Sequence, residues 1–135
     1  MKATLAIIAL TLVPFFAHAD ADLDKVRADE KTCLDQNMSE VGMKMCEGQT
    51  YEAADKILNA TYQKIVVPLQ KSSDAGDRET LKRLVTAEKA WITFRDAECS
   101  YEGTPDLGGS NEGLDILGCE VDTTIARIKS LRNEQ

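Results

Sequence analysis

The chain has 135 residues, a formal net charge of −7 and a single histidine, His18. That length supports one domain with a modest core. The carboxylate excess excludes nucleic acid and anionic membrane surfaces as partners and suits a cationic one.

The chain opens with Met1-Lys2 and an almost wholly apolar run from Ala3 to Phe16, followed by Ala17-His18-Ala19. This pattern predicts a secretory signal peptide over residues 1–19, cut after Ala19, with small residues where cleavage needs them. The run is too short, and too abruptly followed by Asp20, Asp22, Asp24 and Lys25, to predict a membrane span. Without a cysteine at the cut site, no lipid anchor is expected. The product is a single domain over residues 20–135, monomeric and periplasmic or secreted, where thiols oxidise. Cleavage removes Lys2, taking the net charge one unit further negative, and removes His18, the commonest kind of general base and metal ligand.

Helix signals dominate the remainder. Asp22 to Cys33 is charged, with Leu23 and Val26 as its few apolar positions, and predicts a short, largely exposed helix or arm. Ser39 is a candidate N-cap, with Glu40 favourable in the first turn. Val41, Met45, Ala54, Leu58, Tyr62, Ile65 and Leu69 predict one face of a long amphipathic helix, weakened at Gly48. Pro68 is expected to bend or end it. Ser72 to Gly76 reads as a loop, after which Asp77 can cap a helix whose apolar face is Leu81, Leu84, Val85, Trp91 and Phe94. Gly103 to Asn111 is the clearest loop. A final helix presents Leu117, Val121, Ile125, Ile128 and Leu131 on one side. The fold class is all-α: a small antiparallel helical bundle of three main helices plus an N-terminal arm or short helix, stapled by disulfides.

Four cysteines allow three pairings. Cys33 and Cys46 flank the turn near residue 38, and Cys99 and Cys119 flank the Gly-rich loop. Local helix–loop–helix corners therefore favour Cys33–Cys46 with Cys99–Cys119. The spacing is wrong for a zinc site, so neither metal nor cofactor is expected.

Two strings stand out. Tyr51 to Tyr62 reads Y-x-x-x-D-x-x-L-N-x-x-Y, and Ala87 to Cys99 reads A-x-x-A-W-x-x-F-R-D-x-x-C. With Cys46, Gly108-Gly109-Ser110, Cys119 and the spacing of Thr124, Arg127 and Leu131, they resemble the LprI-like family over about residues 33–131. The resemblance implies a secreted or periplasmic helical domain, in a family named for a lysozyme inhibitor. Glu88 stands where members often carry glutamine, and the leader lacks the lipobox of the family's namesake.

Read physically, Asp55 and Asn59 share one helical stripe, as do Trp91 and Arg95. Asp55 facing Arg95 across two helices would form a charge-assisted pair, completed by Asn59, with Trp91 as core anchor. Arg127 would join this network or cover the last helix with its stem. Asp96 and Glu98 are the nearest approach to an acid–base pair, but they read as a solvated helix face. No enzyme is expected. The reading is a non-enzymatic protein that occludes a cationic lysozyme; the alternative is a periplasmic interaction, immunity or stress module with an unidentified partner. The candidate contact loop carries Asp106, Ser110, Asn111 and Glu112.

Overall fold

The structure, a computed structural model, describes residues 20–133; the leader and its cleavage site lie outside them. Among the described residues four α-helices follow one another: α1 (Ala21–Gln36), α2 (Glu40–Lys71), α3 (Ala75–Glu102) and α4 (Glu112–Asn133), with a 3-10 turn at Thr104–Asp106. They run up, down, up and down. The most extensive packing joins α2 to α4; α1 lies on α2, and α3 packs on both α2 and α4.

Local chemistry sets the ends. The Ser39 hydroxyl accepts from the Gly42 N–H at 3.1 Å and caps α2. Asp74, rather than Asp77, caps α3, accepting from the Gly76 and Asp77 N–H groups at 2.7 and 3.1 Å. The loop is therefore shorter than its composition suggested, because Ala75 and Gly76 already lie in the helix. Pro68 does not end α2, which runs on to Lys71. Pro68 and Lys64 both face solvent, where water can take the one carbonyl that proline leaves without a donor.

The core is built from Leu23 and Val26 of α1, Ala54 and Leu58 of α2, and Val121, Ile125, Ile128 and Leu131 of α4. The face expected for α4 is thus the face it buries. The N-terminal arm is a full helix: one turn separates Leu23 from Val26, and both pack into the core. Its expected solvated start is instead tied down, since Arg132 at the end of α4 donates to Asp20 at 3.1 Å and to Asp22 at 3.0 and 2.6 Å.

Two expected faces shift. Val41 and Met45 are exposed, because the upper part of α2 turns Cys46, Glu47 and Thr50 inward. In α3 the buried residues are Glu88, Arg95 and Cys99, while Phe94 is exposed. A helical stripe is defined by spacing, so polar residues can occupy it, as Glu88 and Arg95 do with charged partners.

Both expected disulfides are present. Cys33–Cys46 joins α1 to α2 with a Cα separation of 5.7 Å, and Cys99–Cys119 joins α3 to α4 at 5.4 Å. The α1–α2 and α3–α4 corners lie at the same end of an antiparallel bundle, so both crosslinks close that end. The α2–α3 turn, residues 72–74, forms the opposite hairpin end.

Candidate functional site

The two sequence strings face each other between α2 and α3. Asp55, Leu58, Asn59 and Tyr62 from one side, with Trp91 and Arg95 from the other, line a cavity of about 270 Å³. The Arg95 guanidinium lies 5.4 Å from the Tyr51 ring centroid and 5.3 Å from that of Trp91. Arg127 of α4 approaches the same indole at 5.9 Å. Two cations thus bracket one tryptophan, each neutralised by a carboxylate.

The partners differ from those expected. Arg95 donates through Nε and Nη2 to the Oδ1 of its neighbour Asp96, at 2.9 and 2.7 Å, rather than to Asp55. Asp55 instead accepts from the Asn59 amide, 2.8 Å away on its own helix. At this cavity the pair that crosses between helices is Glu88–Arg127, with Arg127 Nε and Nη2 donating to Glu88 Oε2 at 3.0 and 2.8 Å. Their side chains are only 11% and 15% exposed. Glu88 was the missed member; its signal was a lone carboxylate at the spacing of Leu84, Trp91 and Arg95 on the buried stripe.

At the closed end, the polar residues of the candidate loop hold the loop together. Gly108, at φ 73°, adopts the left-handed conformation that glycine accepts without strain. Its N–H donates to Glu112 Oε2 at 2.8 Å. The Asn111 carbonyl accepts from Leu114 and Asp115 at 2.8 and 3.0 Å and starts α4. Lys44 first, then the Ser110 hydroxyl, holds the Glu40 carboxyl below its ordinary value. Asp106 remains outward. Its hydrogen bond to Asp115 pushes the Asp115 carboxyl up, a sign of crowded carboxylates. Gly103 marks where the end of α3 presses on α4: a Cβ there would meet Ile116 Cγ1 at 2.8 Å.

Beneath the Cys33–Cys46 bridge lies a second acidic group. Glu47 is buried, and its Oε2 has no hydrogen-bond partner. Burial first, then the adjacent Glu30 carboxylate, pushes the Glu47 carboxyl up. Arg27 bridges Glu30, at 2.8 Å, and Asp122 of α4.

All four cysteines are disulfide-bonded, and no cluster of metal-ligating side chains occurs among the described residues. No described helix is long and apolar enough to cross a membrane. The model of one family, described as lysozyme inhibitor LprI, matches residues 33–131. The chain belongs to the LprI family. Its LprI match spans both disulfides, both strings and the cavity between them. An uncharacterized protein of Rhizobium meliloti (strain 1021) is 34% identical over 101 residues, covering 70% of this chain and 73% of that protein. The uncharacterized protein YecT of Escherichia coli (strain K12) is 30% identical over 98 residues, covering 67% of this chain and 60% of YecT. No solved structure matches.

Proposed function

We propose that this LprI-family protein is a secreted or periplasmic, non-enzymatic binder that occludes a cationic muramidase. The family match over residues 33–131 is the observation that carries this reading. The acidic balance of the chain and its two disulfides support it, together with a sequence start that reads as a cleavable leader. An acidic protein is steered toward a basic enzyme, and salt weakens that attraction. The 103–113 loop offers no cationic side chain to neutralise a catalytic carboxylate pair, so the mechanism is coverage of the basic rim of a cleft rather than insertion of a plug.

The test is titration of the oxidised chain, residues 20–135, into chicken-type lysozyme acting on peptidoglycan at low and high salt. Inhibition saturating near one equivalent and weakening with salt is expected. Unchanged hydrolysis at both salts rejects a muramidase target. It would favour the second reading, an interaction or stress module, for which the lack of a loop cation is the specific support.

A further inference from the structure

Large apolar side chains are most exposed at the disulfide-closed end. Met38 is 84% exposed, Val41 79%, Leu107 73% and Tyr101 71%. Met38 and Val41 belong to the α1–α2 corner; Tyr101 and Leu107 belong to the α3–α4 corner. The corners adjoin, since a Cβ on Gly113 would lie 3.6 Å from Lys44 Cε. Each is crosslinked, so presenting these side chains costs little ordering entropy on binding. Phe94, Ile92 and Val67, exposed on the bundle's sides, are scattered single residues of a kind common on any surface.

The charge at this end is one-sided. Glu102, Asp106, Glu112 and Asp115 lie at the α3–α4 corner, and Glu40 starts α2 at the adjoining corner. The nearby lysines are already engaged, Lys31 with Asp35 at 2.6 Å and Lys44 with Glu40 at 3.0 Å. The hairpin end differs, mixing Lys71, Arg78, Lys82 and Arg83 with Asp74, Asp77 and Glu79.

We infer that the disulfide-closed end is one composite docking surface, with Met38, Val41 and Leu107 as apolar contacts inside an acidic rim, for a basic protein surface that bears exposed apolar side chains. The inference rests on the binding reading above and names the face that carries it. A partner's lysine or arginine is drawn to the acidic rim, while the apolar contacts supply the desolvated centre that affinity requires.

The experiment maps amide chemical shifts of the oxidised, nitrogen-15-labelled chain with two probes: chicken-type lysozyme and a synthetic amphipathic peptide of alternating lysine and leucine. Perturbations are expected at residues 38–45 and 101–115. Met38→Ser/Val41→Ser/Leu107→Ser should weaken binding by about tenfold at unchanged melting temperature, while Phe94→Ser does nothing. A silent lysozyme with peptide shifts at this end keeps the surface and rejects the muramidase. The surface is overturned by perturbations centred elsewhere, by a triple variant that binds like the parent, or by neither probe binding at about millimolar concentration.

Discussion

The closed end and the hairpin end of this bundle use different means to fix similar turns. At the closed end, two disulfides staple corners of unequal length, residues 37–39 and 103–111, whose exposed surface is apolar and acidic. At the hairpin end, three residues turn without a crosslink, and Asp74 caps the helix that follows. Below the closed end, α3 is fixed by side chains: Trp91, its two bracketing arginines and the Glu88–Arg127 pair. Covalent closure frees a corner from having to bury its own apolar residues. The corner that folds by side-chain chemistry has little left over to present.

The sharpest way to break this contrast is Glu88→Ala, which leaves Arg127 largely buried without its carboxylate. A loss of about 3 kcal/mol is expected in urea unfolding. Glu88→Gln, which keeps a hydrogen-bond acceptor, should recover most of it. Equal melting of Glu88→Ala and the parent would mean that α3 does not depend on this pair.

Removing Cys99–Cys119 as a double serine variant should cost about 3 kcal/mol in the same measurement, since its loop spans 20 residues. Removing Cys33–Cys46, which closes 13 residues, should cost slightly less. Hydrogen exchange should then accelerate first at the corner released and last across the α2–α3 turn. Uniform acceleration would erase the distinction between the ends.

Acid titration separates the ends by sign. The Glu47 carboxyl is pushed up, first by burial and then by Glu30, so folding favours its protonated form. The stability it contributes is present below the ordinary glutamate value and is lost as pH rises through the folded value. Glu47→Gln should therefore stabilise the protein at pH 7 and flatten that loss. At the far end, Asp22 is held below its ordinary value, first by its hydrogen bond to Arg132. Its contribution is present above the ordinary aspartate value and is lost as pH falls through the folded one. Melting curves from pH 3 to 7 on Glu47→Gln and Asp22→Asn check both slopes; a parallel shift in either variant would contradict the assignment.

The smallest effect belongs to the hairpin end. Asp74→Ala should cost about 1 kcal/mol, as loss of a capping side chain does, and should leave binding at the closed end unchanged.

Where apolar residues alone filled a stripe, the sequence was easy to read. Val121, Ile125, Ile128 and Leu131 made α4 visible, and these residues form its buried face. The same periodicity points Val41, Met45 and Phe94 inward, where the structure buries Glu47, Thr50, Glu88 and Arg95. Those polar residues have the right spacing but the wrong hydropathy. The site was legible to a similar degree. The strings around Asp55 and Trp91 pointed to one region, but which carboxylate takes which arginine depends on rotamers and on the facing helix.

From the amino-acid sequence come three main helices with an N-terminal arm or short helix, their punctuation by Ser39 and the 103–111 loop, and local closure as the favoured disulfide pattern. These are effects of short range, set by capping groups, φ preferences and the period of the apolar residues. Only the tertiary structure decided that Arg127 reaches Glu88 while Arg95 turns to Asp96, and that two corners distant in sequence share one acidic, apolar end. Those outcomes depend on which helices lie side by side, and the antiparallel packing of α1 to α4 settles that.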